Sequence, residues 1–96
     1  MARPLTSRER ADLKARAHAW EPRVQVGSGG VTDRLIAEVD RALAAHELIK
    51  VKIATDDRLQ RVAMGDEIAE HAGATAVYRV GKILILWRKR EEPDDS

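Results

Sequence analysis

Four small residues, Gly27-Ser28-Gly29-Gly30, are the part of this 96-residue sequence best suited to binding a ligand through its backbone. Glycine has no Cβ and tolerates positive φ, so a ligand can approach the main chain closely at such a glycine loop. A helical pattern follows, and the first N–H groups of a helix have no partner within it. The combination predicts a phosphate-binding site. The alternative is that the glycines only form a tight turn.

The glycine loop is positioned by a strand before it and a helix after it. Residues 24–26 have strand character, and Thr32 is suited to the N-cap of the helix. Asp33 stands at the positive end of that helix, where a carboxylate is favourable. Apolar residues then recur at spacings of three and four, which predicts an amphipathic helix ending near His46.

Basic side chains accompany the glycine loop. Residues 48–55, L-I-K-V-K-I-A-T, alternate with the period of a strand, which places Lys50 and Lys52 on the face opposite the β-branched residues. Both lysines become useful if that face meets phosphate. Arg34, just after the loop, and Lys14, on a basic side of the first predicted helix, add positive charge. The alternative for Lys14 is an ordinary solvated helix face.

Two further helices are predicted from their ends. Thr6 and Glu9 have the spacing of a capping box, and the first helix should run to about His18. The third helix should begin at Asp56-Asp57, where two carboxylates suit its positive end, and end at Gly73. Gly65 interrupts its apolar arc at a cost of roughly 1 kcal/mol against alanine, and we suspect close packing there.

The end of the chain predicts a hairpin of residues 75–80 and 83–88. Gly81-Lys82 is a two-residue loop with glycine first, which suits a type II′ turn. The I-L-I-L-W run has no polar alternation, so its strand should be covered on both faces for part of its length. The order α-β-α-β-α-β-β predicts an α/β fold with a four-stranded mixed sheet and helices mainly on one face.

Composition limits the class of protein. The length suits one small domain. The absence of cysteine excludes disulfides and fits a reducing cytoplasm, where we expect the protein. Its longest apolar run, residues 83–87, is too short to span a bilayer, and no signal-peptide pattern opens the chain. We expect no cofactor, no membrane partner and a monomer.

Charge divides the chain into a basic body and an acidic tail. Residues 91–96 hold four carboxylates and no base, whereas residues 1–90 carry all 17 Lys and Arg with 12 acids. We expect one domain at 5–90 and a flexible tail at 91–96. A basic body suggests a polyanionic partner.

Catalytic patterns are missing. A dinucleotide fingerprint needs glycine where Thr32 stands, and the Gly81-Lys82 pair is followed by isoleucine instead of the Ser or Thr of a Walker loop. The three histidines, His18, His46 and His71, are far apart, and no two of them have metal-ligand spacing. We therefore expect neither an enzyme nor a metal site. With three aromatic residues, stacking platforms are scarce, so any nucleic acid would be held by its backbone.

Four segments resemble the YhbY family, stand-alone bacterial versions of the CRM (chloroplast RNA splicing and ribosome maturation) domain. They are L-K-A-R-A-H at 13–18, V-Q-V-G-S-G-G at 24–30, H-E-L-I-K-V-K at 46–52 and V-G-K-I-L-I-L-W-R at 80–88. The resemblance implies a fold similar to the C-terminal domain of translation initiation factor 3. This sequence departs from the family pattern at Gly65 and Ala69, where bulkier apolar residues are usual, and in its acidic tail.

The resemblance also implies a function. It implies RNA binding through a G-x-x-G loop likened to that of KH domains, with ribosomal RNA in precursors of the large ribosomal subunit as partner. Lys82 and Arg88 match basic positions of the family's last hairpin. The expected RNA-binding residues are Gly27, Ser28, Gly29, Gly30, Arg34, Lys50, Lys52, Lys14, Lys82 and Arg88. The rival hypothesis is a protein–protein adaptor that docks on ribosomal proteins or assembly factors through Trp20 or Trp87.

Overall fold

The computed structural model describes residues 5–27 and 29–89. The elements follow the predicted order, with ends within two residues of those expected. They are α1 (Ser7–Ala17), β1 (Val24–Val26), α2 (Asp33–His46), β2 (Leu48–Ile53), α3 (Arg58–Ala72), β3 (Thr75–Val80) and β4 (Ile83–Trp87). The predicted α/β class is therefore confirmed. No helix in the described ranges is long and apolar enough to cross a bilayer.

The four strands form a mixed sheet in the order β1-β2-β4-β3. β1 pairs in parallel with β2, with Val26 opposite Ile53, and β4 is antiparallel to both of its neighbours. Of the two hairpin strands, β4 pairs with β2, and β3 is therefore an edge strand. Because β4 lies between two strands and two layers, its central residues 84–86 are at most 3% exposed, as its continuous apolar run predicted.

Helices cover the two faces of the sheet unequally. α2 and α3 pack on one face, where Leu35, Val39 and Leu43 of α2 join Ile68 of α3 in the larger cluster. α1 covers part of the other face, with Leu13 and Ala17 against residues of β2, β3 and β4. Two of the three helices thus share one face, which confirms the predicted arrangement.

Polar caps fix the helix ends. The Thr6 hydroxyl accepts from the Glu9 N–H at 3.1 Å, and the Glu9 carboxylate accepts from the Thr6 N–H at 3.0 Å, which forms the predicted capping box. Thr32 caps α2 by accepting from the Leu35 N–H at 3.1 Å. At the end of α3, Gly73 has φ of 63°, the left-handed conformation that favours glycine.

Gly65 lets α3 approach the sheet closely. A Cβ at this position would lie 3.1 Å from Cδ2 of Leu84 and 3.7 Å from Cδ1 of Ile53. Both neighbours are buried core residues. The suspected close packing is confirmed, and the contact distance explains why a poor helix former is placed in mid-helix.

The outer strand β3 is irregular and is covered by a side chain. A register shift between Ala76 and Tyr78 indicates a β-bulge against β4. From α1, Nη1 of Arg10 donates to the carbonyl oxygens of Ala76 at 2.8 Å and Val77 at 3.1 Å. These bonds tie the first helix to the edge of the sheet. In the hairpin turn, Gly81 has φ of 55° and Lys82 has no positive φ, which agrees with type II′.

Candidate nucleic-acid interface

The glycine loop and residues 54–57 meet at one end of the sheet, here called the loop edge. Both segments follow the parallel strands β1 and β2, and the Ala54 N–H donates to the Val26 carbonyl at 3.2 Å. The helices α2 and α3 both begin at this edge, so their free N–H groups and positive dipole ends lie there. In open α/β sheets, such an edge is where ligands bind.

A hydrogen bond links the two ends of the glycine loop, and two of its glycines are exposed. The Gly30 N–H donates to the Gly27 carbonyl at 3.1 Å, and Gly30 has φ of 71°. Because its N–H is already bonded within the protein, the Gly30 amide is not available to a phosphate, contrary to expectation. Gly27 and Gly29 are exposed, and a Cβ on either would meet nothing within 4 Å. In the described part of the chain their amides have no protein acceptor. Ser28 lies outside the described residues.

Two of the expected cations flank the glycine loop. Arg34 is exposed in the first turn of α2. Lys52 lies opposite Gln25 of β1, on the face that α1 only partly covers. Within the described residues neither side chain has a hydrogen-bond or ion-pair partner. Both are therefore available to a ligand at the loop edge.

Lys82 lies at the same edge but is engaged. Its Nζ is 3.0 Å from a carboxylate oxygen of Asp56. The hydrogen bond from Lys82, followed by its positive charge, lowers the pKa of Asp56 below the ordinary value of 3.8. The Lys82 carbonyl also accepts from the Ile53 N–H at 2.7 Å, which joins the hairpin turn to the end of β2.

Lys50 and Lys14 are held by the protein itself. Nζ of Lys50 donates to the His18 carbonyl at 2.7 Å, just beyond the end of α1. Nζ of Lys14 sits 3.8 Å from the ring centroid of Tyr78, a cation–π contact. Tyr78 belongs to β3, three strands from β1, so Lys14 lies about 14 Å across the sheet from the glycine loop.

Arg88 lies at the opposite end of the sheet from the glycine loop. It follows β4, roughly 17 Å along the strand from Ile83, which faces the loop edge. Its guanidinium donates to the Asp40 carboxylate at 2.7 Å, the Ala72 carbonyl at 2.8 Å and the Asp40 carbonyl at 3.1 Å. The structure thus separates Arg88 from the other expected site residues and gives it a role in joining β4 to α2 and α3.

A groove of about 350 Å³ opens between the glycine loop and the first turns of α3. It is lined by Val26, Gly27, Ile53, Ala54, Thr55, Asp56, Gln60 and Met64. Elsewhere, residues 5–27 and 29–89 contain no group of three His, Cys, Asp or Glu side chains able to hold a metal ion. The loop edge therefore offers backbone donors, cations and a partly apolar groove.

A family model for the CRS1 / YhbY (CRM) domain matches residues 5–88. This chain belongs to that family. An RNA-binding protein of Haemophilus influenzae is 39% identical over 88 residues, which cover 92% of this CRM-domain chain and 89% of the relative. A Bacillus subtilis relative named "probable RNA-binding protein" is 30% identical over 88 residues, covering 92% of each. The solution structure of a hypothetical protein from Staphylococcus aureus is similar with a TM-score of 0.79 and 25% identity, over 97% of this chain and 95% of that one.

Sequence reasoning missed the α3 side of this CRM-domain edge. Thr55, Gln60 and Met64 were not among the expected site residues, although all three line the groove. One signal was available: segments that follow two parallel strands lie at the same sheet edge, so residues after β2 must approach those after β1. Nothing in the spacing of Gln60 or Met64 alone distinguishes them from ordinary helix positions.

Proposed function

We propose that this CRM-domain protein is a non-enzymatic RNA-binding protein of the cytoplasm that acts in assembly of the large ribosomal subunit. Its relatives in Haemophilus influenzae and Bacillus subtilis carry RNA-binding names, and the shared domain supports the same partner here. In this proposal the RNA is held by its sugar–phosphate backbone at the loop edge, and the partner is ribosomal RNA in subunit precursors.

One observation carries the proposal. The exposed residues Gly27 and Gly29 precede the start of α2, Arg34 lies in the first turn of that helix, and Lys52 lies on the strand next to β1. Backbone N–H groups at a helix start favour an anion, and flanking cations release counterions from a polyanion. The hydrogen bond from the Gly30 N–H to the Gly27 carbonyl links the two ends of the glycine loop beside these groups.

A double substitution tests the role of the glycine loop. Ser28→Asp with Gly29→Asp places two carboxylates where phosphate is proposed to bind, and RNA affinity should fall roughly tenfold or more because like charges are juxtaposed. The matched control is Ala44→Asp with His71→Asp, which adds two carboxylates at exposed positions near the other ends of α2 and α3. Fluorescence anisotropy with labelled ribosomal RNA fragments measures both, and circular dichroism checks folding. Equal affinities for the two double variants would refute the loop's role.

Salt dependence tests the electrostatic part. The logarithm of the affinity should fall linearly with the logarithm of salt concentration, with a slope of about 0.7 per phosphate contacted on a single strand. A flat salt profile would contradict a backbone grip.

The adaptor hypothesis keeps one supporting observation. Trp20, in the segment between α1 and β1, is 42% exposed, whereas Trp87 is packed against the cluster under α1. Association of the protein with assembly particles that survives nuclease treatment and is lost in Trp20→Ala would favour this second candidate. Loss on nuclease treatment favours RNA binding.

A further inference from the structure

The groove beside the glycine loop has no part in a pure backbone grip. We propose that it receives one unstacked base of a single-stranded RNA whose phosphates lie on the glycine loop; this inference rests on the proposed RNA-binding function. Gly27 belongs both to the glycine loop and to the groove wall, so one nucleotide can reach both. The volume of about 350 Å³ falls at the lower end of the range for sites that take small organic groups.

The floor of the groove is apolar. Val26 and Ile53, paired on the parallel strands, are 1% and 3% exposed and close its base. The Met64 side chain forms part of the α3 wall, and its methyl carbon lies 3.9 Å from where a Cβ of Gly30 would be. A thioether makes favourable contacts with flat rings. These surfaces favour a planar ring over a hydrated anion.

The Gln60 side chain is oriented by a chain of hydrogen bonds. The Asp57 N–H donates to the Thr55 hydroxyl at 3.3 Å, and that hydroxyl donates to Oε1 of Gln60 at 3.2 Å. With Oε1 accepting from Thr55, the amide nitrogen carries the two donors that remain. Those donors have no protein partner among the described residues. Gln60 is therefore set to donate to an acceptor on a base edge.

Charge around the groove separates base from phosphate. Asp56 is one of the residues that line the groove, and its side chain is 95% exposed and pairs with Lys82 at 3.0 Å. A second phosphate in the groove would lie near this acidic residue and be disfavoured, whereas a neutral base carries no charge to be repelled. The phosphate is thus directed to the loop and the base to the groove. In a duplex the base edges are already paired, so only a single strand can fill both positions.

Filling the groove tests the proposal. Ala54 is exposed and lines the groove, so the side chain of Ala54→Trp should occupy the groove. The affinity for a ten-nucleotide uridine oligomer should fall about tenfold, while the affinity for a 16-base-pair RNA duplex stays within about twofold of the parent value. Ala44→Trp, at an exposed position near the end of α2, is the matched control and should leave both affinities unchanged. Gln60→Leu, in the exposed first turn of α3, removes the donors without filling the groove and should weaken oligomer binding about threefold.

The outcomes separate the base site from RNA binding itself. If Ala54→Trp and Gln60→Leu both bind the oligomer as tightly as the parent chain, or if Ala44→Trp weakens binding equally, the base site is wrong and the backbone grip stands. If the parent chain binds neither the oligomer nor the duplex, the proposed function fails with it. Selective loss of single-strand binding in Gln60→Leu supports the base site even if Ala54→Trp does not fold.

Discussion

The two ends of the sheet carry similar cations but use them differently. Beyond β4, Arg88 donates to the Asp40 carboxylate and to the carbonyls of Asp40 and Ala72. At the loop edge, Arg34 and Lys52 have no partner within the described residues. An arginine or lysine in the sequence is therefore not by itself evidence of a binding surface, because its position in the fold decides whether the protein's own acceptors occupy it.

Helix direction explains the difference. The parallel pair β1 and β2 requires α2 to run back along the sheet, and α3 likewise connects β2 to β3. Their N-termini therefore lie at the loop edge, and their last carbonyls lie at the other end, where cations are stabilised. Arg88 binds the carbonyl of Ala72, the last residue of α3, and Lys50 binds that of His18 just beyond α1. Beside the helix starts, Arg61 donates to the Thr55 carbonyl at 3.0 Å and Lys82 pairs with Asp56, whereas Arg34 and Lys52 have no partner among the described residues.

Replacing Arg88 should give the largest effect on stability. Arg88→Met removes three charge-assisted hydrogen bonds around a half-buried guanidinium, and the free energy of unfolding should fall by about 2 kcal/mol. Urea denaturation measures the loss, and RNA affinity measured under native conditions should stay unchanged. Arg34→Met should show the reverse pattern, with reduced affinity and unchanged stability. An Arg88→Met protein of full stability and weakened RNA binding would contradict the distinction between the two ends.

Lys50 and Lys52 provide a comparison within one strand. They share a face of β2, but Lys50 bonds to the His18 carbonyl while Lys52 has no partner in the described residues. Lys50→Met should lower the free energy of unfolding by about 1 kcal/mol. Lys52→Met should leave unfolding unchanged and reduce the salt slope of RNA binding by about 0.7. If both variants change the salt slope equally, the His18 carbonyl does not withhold Lys50 from RNA.

The ion pair of Asp56 and Lys82 should give the smallest effect. The Lys82 hydrogen bond lowers the pKa of Asp56 below its ordinary value of 3.8, so the ion pair stabilises the folded protein at pH values above 3.8. This contribution is lost as the pH falls through the lowered pKa. Asp56→Asn should therefore be slightly less stable than the parent chain at neutral pH, and the difference should vanish in acid. Thermal unfolding midpoints of both proteins, measured from neutral pH into acid, give this difference in stability. A difference independent of pH would exclude the ion pair as its source.

The sequence predicted the elements better than the contacts of its charged side chains. Thr6, Thr32 and Gly73 mark helix ends through local chemistry, so the boundaries could be inferred without a structure. The uninterrupted apolar run of β4 likewise predicted a strand covered on both faces. Local spacing and propensity carry this information because neighbouring residues determine it.

Long-range contacts could not be predicted in the same way. The bonds of Arg88 reach 48 and 16 residues back along the chain, and the groove joins residues of β1 to residues of α3. The resemblance to the CRM family grouped Lys82 and Arg88 as basic positions of one hairpin, but the antiparallel pairing of β4 places them at opposite ends of the sheet. The RNA-binding roles of the expected residues remain predictions that the variants above test.

The Arg10 side chain has a consequence for solubility during folding. An edge strand exposes backbone acceptors to which a strand of another molecule can pair, and such pairing leads to aggregation. On β3, Arg10 already occupies the carbonyls of Ala76 and Val77, and the bulge between Ala76 and Tyr78 distorts the ladder that an incoming strand would need. Docking of the first helix therefore closes the outer margin of the sheet against intermolecular strand addition, and a chain in which that helix has not yet docked leaves this margin open.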